Sequence, residues 1–411
     1  MNEQKRKIIL GMPFVAEEGN KIRLNCPIDL NGKCDTVWYE VDSGYGDYLC
    51  HERGNALLLG VLSYAMRNNC DIVSEAPIDE QLLYQIRTYL IPAVVGGSRN
   101  LTAPEISAPM ASELLPNAGA VGTGISCGVD SLHAVMNYAN PAYSKMKLTH
   151  LILNNVGAFW RGKEDRQYDW QSAHAKRFCE ANGFKLILSD SNLADVVPQD
   201  HLLTNTYSSC FCIYALQKLW NVYYYASVGH DFSHFTLKNN DQYDSAYYDL
   251  LTLDCFSIRT LKIYSEGGAV TRFEKMKKLI AYPPSYDFLH VCTSDVGDNC
   301  GHCGKCLRTL TMLDALKSLD LYSKSFNLND YYNNRKSALI WLCRQHIDGN
   351  GDKMTEPSYE MLRHDITTRV RLAAFWSLAK DRDFFLKNIK AFLIRRFPKG
   401  YRCYKRIFRK S

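Results

Sequence analysis

One stretch, residues 122–139, constrains the fold of this chain more than any other. Its first residues alternate as in a strand, and Leu132, Val135, Met136 and Ala139 then recur at the spacing of one helix face. Small polar residues connect the two parts, and they leave backbone N–H groups accessible at the start of the helix, where the helix dipole favours an anion. The residues of this turn are Ser126, Cys127, Gly128, Val129, Asp130 and Ser131. The stretch predicts a phosphate-binding turn, and the alternative is an ordinary strand–turn–helix in which Asp130 or Ser131 caps the helix.

The alternation of strands and helices continues from residue 116 to about residue 325. Such alternation predicts parallel βαβ units, and hence an α/β fold with a doubly wound parallel sheet. Ligands of these sheets bind at the carboxyl ends of the strands. The polar residues that follow the predicted strands are therefore candidate ligand contacts, namely Asn154, Asn155, Asp190, Ser191 and the loop residues Gly229, His230 and Asp231.

The chain has 411 residues, which is more than one ordinary hydrophobic core accommodates, so we expect several domains. The predicted boundaries give an accessory α+β domain over residues 1–115, the α/β domain over 116–325 and a helical region over 326–411. No apolar run is long enough to span a bilayer. The first twenty residues predict a strand rather than a signal peptide, and most of the fifteen cysteines are scattered singly, which is typical of a cytoplasmic protein.

Four cysteines late in the chain have the spacing of metal ligands. They are Cys292, Cys300, Cys303 and Cys306, of which the last three follow the pattern CxxCxxC. Two-residue gaps let a tight turn direct successive thiolates to one ion, so the pattern predicts a four-cysteine Zn²⁺ site, with an iron–sulfur cluster as the alternative. Four protein ligands leave no open position on zinc, which predicts a structural role.

A basic helix is predicted within residues 266–280, after a Gly-Gly turn. Arg272 or Lys275 on this helix is a candidate for contact with a polyphosphate, where it would offset the charge that develops on a leaving group. The alternative is a basic helix face that is simply exposed to solvent.

The segment SCGVDS, residues 126–131, resembles the SGGxDS signature of the PP-loop ATP pyrophosphatases. Together with the late cysteine cluster it makes residues 118–320 similar to the 7-cyano-7-deazaguanine synthases of that superfamily. The resemblance implies a Rossmann-like domain that binds ATP and Mg²⁺, releases pyrophosphate, and activates a carboxylate or amide oxygen for attack by a nitrogen nucleophile. It implies that residues 126–131 hold the pyrophosphate, that Asp130 helps to place Mg²⁺, that Lys275 or Arg272 stabilises the leaving group, and that Asn154 and Asp190 flank the adenosine. Cys127 departs from the signature, because a glycine usually stands there; a positive φ at that position would cost a cysteine about 1 kcal/mol.

Two other functions are compatible with the same sequence. The first is a tRNA-modifying PP-loop enzyme of the thiolation type, with Cys127, Cys210 and Cys212 as candidate sulfur carriers. Its RNA would bind the basic tail, since residues 381–411 hold a net charge of +9 in a chain of net charge +6. The second is a non-catalytic nucleotide-binding scaffold in which Cys127 marks a degenerate loop. The expected partners are a small-molecule acid and a nitrogen donor, with a nucleic acid and a second copy of the chain as further alternatives.

Overall fold

The structure is a computed structural model that describes residues 5–157, 165–226, 231–242, 244–294, 297–348 and 354–379. These residues form thirteen strands and thirteen α-helices. The strands are β1 (Arg6–Leu10), β2 (Phe14–Glu18), β3 (Lys21–Leu30), β4 (Lys33–Asp42), β5 (Cys70–Ser74), β6 (Ile78–Asp79), β7 (Ile106–Ser107), β8 (Met110–Ala111), β9 (Ala120–Gly124), β10 (His150–Asn155), β11 (Lys185–Ser191), β12 (Trp220–Ala226) and β13 (Lys262–Glu266). The helices are α1 (Asn55–Asn68), α2 (Glu80–Gln85), α3 (Ile91–Gly96), α4 (Val129–Tyr138), α5 (Asp165–Asn182), α6 (Leu193–Val196), α7 (His201–Ala215), α8 (Asp249–Cys255), α9 (Arg272–Leu279), α10 (Gly304–Ala315), α11 (Leu328–Asp348), α12 (Glu356–Leu362) and α13 (Thr368–Ala379).

Eleven strands form one sheet in the order β13-β12-β9-β10-β11-β4-β3-β1-β5-β7, with β2 paired to β3. Six of the ten strand pairings in this sheet are parallel and four are antiparallel. The predicted α/β class with a mostly parallel central sheet is therefore confirmed.

The five strands β13-β12-β9-β10-β11 are parallel to their neighbours throughout. Strand β9 is the first of them in sequence and lies between β10 and β12. The strand order consequently reverses at β9, which is the topological switch point where ligands bind in Rossmann-like sheets. Four of the five residues of β9 are buried, as expected of a central parallel strand.

The N-terminal strands extend this sheet rather than forming a sheet of their own. Strand β4 pairs antiparallel with β11, with Asp190 opposite Glu40. The strands of the predicted parallel domain are parallel throughout, and each of the four antiparallel pairings involves β3 or β4. Two of the four are the hairpins β2-β3 and β3-β4, whose short turns permit only antiparallel neighbours.

The chain divides into two compact units. The first, the sheet unit, comprises Met1–His290 with Asp295–Gly297, and the second, the helical unit, comprises Val291–Ser294 with Asp298–Ser411. This division differs from the predicted boundaries at residues 115 and 325. In the sheet unit α1 packs on α7, which joins the residues of the predicted accessory domain to those of the α/β domain in one core.

The helical unit has a core of its own, in which α11 packs on α10, α12 and α13. Leu339, Leu342 and Cys343 on α11 are buried against Leu362 and Val370. Among the described residues no helix is long and apolar enough to span a membrane. The basic tail over 381–411 and the loop residues Gly229 and His230, which were candidate contacts, lie outside the described residues.

Candidate functional site

The predicted phosphate turn follows β9 directly and ends in the first turn of α4, so it lies at the topological switch point. Gly128 precedes the helix in an extended conformation and caps it without a side chain. The first N–H groups of α4 therefore face the turn without a side-chain cap on them, which is the arrangement that binds anions at helix N-termini.

Two serine hydroxyls shape this turn. The Ser126 hydroxyl accepts a hydrogen bond from the Gly128 N–H at 3.4 Å and lies 3.3 Å from the Ser131 hydroxyl. The Ser131 hydroxyl donates to the Gly128 carbonyl at 3.1 Å. From outside the turn, the Gln171 side chain on α5 donates to the Ser126 carbonyl at 2.7 Å. These bonds hold the turn in one conformation.

Cys127 adopts the left-handed backbone conformation, with a φ of 55°. The signature's usual glycine would adopt this conformation at no steric cost, and the cysteine adopts it at a cost of about 1 kcal/mol. The His290 N–H donates to the Cys127 carbonyl at 2.9 Å and helps to hold it there. The thiol is fully buried, and burial, with a smaller contribution from Cys179, raises its pKa well above the ordinary value. The side chain thus lies in the interior of the protein.

The centre of the site is the carboxylate of Asp130, in the first turn of α4. The Arg272 guanidinium donates a short hydrogen bond to one carboxylate oxygen, and the Lys275 ammonium donates to the other at 2.8 Å. Burial alone would raise the pKa of Asp130, but the charges of Arg272 and Lys275 outweigh it and lower this pKa to about 2. The Asp130 carboxylate thus pairs with two cations beside the N-terminus of α4.

Both cations project from α9, and the start of α9 is fixed by a capping box. The Thr271 hydroxyl accepts the Glu274 N–H, and the Glu274 carboxylate accepts the Thr271 N–H at 2.7 Å. Arg272 and Lys275 are three residues apart, so they lie on the same face of the helix. Lys275 is only 1% exposed, whereas Lys277 and Lys278 on the same helix face solvent. The predicted basic helix thus includes one buried lysine. A helix face that is simply exposed to solvent does not explain this burial.

Two buried acids near Lys275 were missed by the sequence analysis. Asp249 is 3% exposed; burial and the nearby Asp244 raise its pKa to about 7, although the Ser265 hydroxyl and Lys275 favour its charged form. Glu266 lies at the end of β13, accepts a hydrogen bond from the Asn137 side chain at 2.7 Å, and lies 3.5 Å from the His133 ring. Lone acids without a characteristic spacing give no signal in a sequence.

Gly267 gives Lys275 the space that it occupies. Its φ is 76°, and a Cβ built there would lie 2.8 Å from the Lys275 ammonium nitrogen. This close approach requires glycine at the turn between β13 and α9.

The other two predicted nucleotide contacts are positioned differently. The Asn154 side chain accepts hydrogen bonds from the Ser189 hydroxyl at 2.6 Å and the Tyr39 hydroxyl at 3.4 Å, so it links β10 to β11 and β4. Asp190 lies on β11, two strands from β9, and its carboxylate accepts the Ser191 N–H at 2.8 Å. The structure thus brings Asp130, Arg272 and Lys275 together and places Asn154 and Asp190 towards the side of β11.

The four predicted metal ligands form a cluster in the helical unit. Their sulfur atoms all lie within 4.8 Å of one another, with Cys292 and Cys303 4.0 Å apart and Cys300 and Cys306 3.9 Å apart. Sulfurs at the zinc–thiolate bond length of about 2.3 Å in a tetrahedron lie roughly 3.8 Å from one another. The cluster could therefore hold a metal ion such as zinc.

Backbone geometry around the cluster keeps the thiols together. Gly301 has a φ of 77°, and Cys303 caps α10, where its sulfur accepts the Cys306 N–H at 3.5 Å. Although burial raises it, this N–H and the neighbouring side chains lower the pKa of Cys303 to about 6, which favours the thiolate that a metal binds. The Asn299 side chain accepts the N–H groups of residues 291 and 292 at 2.8 and 3.1 Å and fixes the first ligand.

Comparison with known proteins yields no match to a protein-family model, a curated protein or a solved structure.

Proposed function

We propose that this protein is an ATP-dependent adenylating enzyme of the PP-loop pyrophosphatase type. It cleaves ATP to AMP and pyrophosphate, transfers the AMP to a carboxylate or amide oxygen, and lets a nitrogen nucleophile displace the AMP. The observation that carries this proposal is the convergence of Arg272 and Lys275 on Asp130 at the topological switch point. A buried lysine beside a helix N-terminus suits a polyphosphate site, because water does not screen the attraction between its ammonium group and the phosphates.

The roles of the residues follow from their positions. The N–H groups of residues 128–131 bind the pyrophosphate oxygens, as backbone groups at a helix N-terminus do. Arg272 and Lys275 donate to the same phosphates and stabilise the charge that appears on pyrophosphate as the bond to the α-phosphorus breaks. Asp130 would hold Mg²⁺ once these cations bind the phosphates, and the ion would supply further positive charge to the leaving group.

The alternative of a non-catalytic scaffold requires that Cys127 prevents the loop from supporting catalysis. The backbone at Cys127 has the left-handed conformation that the glycine of the signature would have, and its thiol is buried away from the turn. Since the thiol does not occupy the turn, this geometry supports a working phosphate loop over a degenerate one.

The thiolation alternative requires a reactive thiol. Cys127, Cys210 and Cys212 are all buried, and burial raises the pKa of each thiol well above its ordinary value. A sulfur carrier needs an accessible thiolate. These three cysteines therefore favour amide or carboxylate chemistry over sulfur transfer.

We assign zinc to the cysteine cluster, with a structural role. Four thiolates at tetrahedral distances suit Zn²⁺ and leave no position for a substrate. The cluster ties residues 291–294 to the start of α10 within the helical unit.

The decisive experiment measures MgATP binding and pyrophosphate release in the wild-type chain and in two lysine variants. Lys275→Met removes the buried ammonium and retains the length of the side chain, and Lys278→Met is the matched control because it changes an exposed lysine on the same helix. With an extract of small molecules as the source of acceptor, we expect Lys275→Met to lower pyrophosphate release about 100-fold or more and Lys278→Met to leave it unchanged. Equal release in both variants, or no MgATP binding by the wild-type chain in calorimetry, would overturn the proposal.

A further inference from the structure

Helix α13 in the helical unit has apolar side chains on the face that it buries and also on the face that it exposes. Val370 and Ala374 are buried in the core of the helical unit. Leu372, Phe375 and Trp376 are each at least half exposed. Leu372 and Trp376 are two residues from Ala374, which places them on the opposite side of a helix with 3.6 residues per turn. A helix that is apolar on all sides is normally covered on all sides, so this second face indicates a partner.

The three exposed side chains form one patch, which we call the outer face of α13. The rings of Phe375 and Trp376 contact each other edge to face, with their centroids 6.3 Å apart. Leu372 precedes them by three and four residues and therefore lies beside both on the helix surface. Exposed apolar patches of this kind mark sites where a protein or a membrane binds.

Positive charge accompanies the outer face. Arg369 and Arg371 are exposed on the same helix. Residues 381–411, whose sequence begins two residues after the end of α13, contain eleven lysines and arginines and two aspartates, a net charge of +9. The partner of the outer face should therefore be anionic as well as apolar.

The sequence of residues 381–411 combines the same two properties. Phe385, Ile389 and Phe392 recur at the spacing of one helix face, and Lys387 and Lys390 fall between them on the other side. This pattern predicts a cationic amphipathic helix. Such helices lie in the plane of a membrane surface, with their apolar side chains among the lipid head groups and acyl chains.

A bilayer with anionic lipids suits both properties, whereas RNA suits the charge alone. Phosphates of RNA attract lysine and arginine, and its bases stack on aromatic rings. Aliphatic side chains such as Leu372 and Ile389 gain little from either contact. In a bilayer they leave water together with the aromatic rings, and tryptophan is enriched at the level of the head groups.

We propose that the outer face of α13 and residues 381–411 bind the surface of a bilayer that contains anionic lipids. Phe375 and Trp376 insert at the level of the head groups. Arg369, Arg371 and the cations of residues 381–411 bind the lipid phosphates and carboxylates. This proposal is independent of the ATP chemistry, because it involves no residue of the proposed ATP site.

The test measures flotation of the full chain with lipid vesicles, without ATP. One set of vesicles is phosphatidylcholine, and the other is phosphatidylcholine with about 30% phosphatidylserine. We expect about tenfold more chain on the anionic vesicles, and a several-fold decrease of this binding when the salt concentration rises from about 0.1 M to about 0.5 M. The absence of binding to the anionic vesicles, or equal binding to both sets, would overturn the proposal.

A double variant tests the outer face itself. Phe375→Ser with Trp376→Ser removes the two exposed rings, and Tyr143→Ser is the matched control because it removes an exposed ring from the sheet unit. We expect the double variant to bind the anionic vesicles about tenfold more weakly and Tyr143→Ser to bind them like the wild-type chain. Equal binding by the double variant and the wild-type chain would show that the outer face does not meet the bilayer.

A second double variant keeps the proposal testable if the first one destabilises α13. Lys387→Glu with Lys390→Glu reverses two charges and changes no residue of α13. Its control, Lys277→Glu with Lys278→Glu, reverses two exposed charges on α9. We expect at least about tenfold weaker binding to the anionic vesicles in the first pair and little change in the second. An equal loss in both pairs would indicate a response to net charge alone and would contradict the assigned surface.

Two other partners of the outer face would give different results. If a second copy of the chain covered it, the wild-type chain would sediment as a dimer without vesicles, and Phe375→Ser with Trp376→Ser would sediment as a monomer. If a nucleic acid bound there, the chain would bind polyuridylate more tightly than the anionic vesicles. Either result would overturn the assignment of this face to a membrane.

Discussion

Asp249 should make the stability of the sheet unit depend on pH, and replacing it with asparagine should remove that dependence. Its pKa is about 7 in the folded chain against an ordinary value of 3.8. Between these two values the folded chain retains a proton that the unfolded chain has released. The folded state thus binds more protons, so this group lowers the stability as the pH rises from about 4 to about 7, and the loss is complete above pH 7.

The magnitude follows from the two pKa values. One pH unit corresponds to about 1.4 kcal/mol, so the full loss above pH 7 is at most about 4 kcal/mol. Because Asp249 is 3% exposed, solvent screens little of it. An asparagine side chain resembles the protonated acid in shape and cannot ionise, so Asp249→Asn should exceed the wild-type stability by about 1.6 kcal/mol at pH 5 and by about 4 kcal/mol at pH 9. At roughly 2 °C for each kcal/mol in a unit of this size, the melting temperature should rise by several degrees at pH 9.

Thermal unfolding of the full chain at pH 5, 7 and 9 measures this effect. The matched control is Asp254→Asn, which lies on the same helix, is 73% exposed and pairs with Lys262 at 2.6 Å. It should follow the wild-type chain at every pH. If Asp249→Asn also followed the wild-type chain from pH 5 to pH 9, the burial of an uncharged Asp249 carboxyl would be wrong.

Two further predictions concern cysteines. We expect one zinc per chain by elemental mass spectrometry, reduced in Cys306→Ser and unchanged in the exposed control Cys34→Ser; the same zinc content in both variants would contradict the assigned site. Cys127→Gly relieves about 1 kcal/mol of backbone strain but removes a buried Cβ and thiol that contribute about 2 kcal/mol. This variant should therefore be slightly less stable than the wild-type chain. It should bind MgATP as tightly as the wild-type chain. A large gain of MgATP affinity in Cys127→Gly would instead show that the cysteine obstructs the turn.

Much of the site region could be predicted because its signals are local. A strand, a turn of small residues and an amphipathic helix follow one another within residues 122–139, and each follows from the nearest side chains. The signal of the cysteine cluster is also local, since CxxCxxC brings three sulfurs together over one turn of chain. Arg272 and Lys275 belong to this group as well, because a three-residue spacing on a helix places both on one face.

The start of a helix was harder to predict where a capping side chain begins the helix before its apolar pattern does. The apolar pattern of the chain predicts a helix over about residues 209–220, whereas α7 covers His201–Ala215 and Trp220 begins β12. The Asp200 side chain accepts the Leu202 N–H and starts the helix eight residues earlier than its apolar pattern indicates.

Strand pairing between distant segments was decided by tertiary structure. The sequence distinguishes the N-terminal strands from the parallel ones, and it contains no signal that β4 pairs with β11 across almost 150 residues. Backbone hydrogen bonds are the same for every residue type, so the partner of an edge strand depends on which cores can be buried together. One extended sheet therefore forms where the sequence predicts two domains.

The sequence by itself determined the strand–turn–helix of residues 122–139, the two cations of α9 and the four thiols, because each is a pattern along the chain. Only the tertiary structure decided that both cations meet Asp130 and that Asp249 is buried. Burial and charge proximity depend on residues far apart in sequence, and they set the pKa values from which function is inferred.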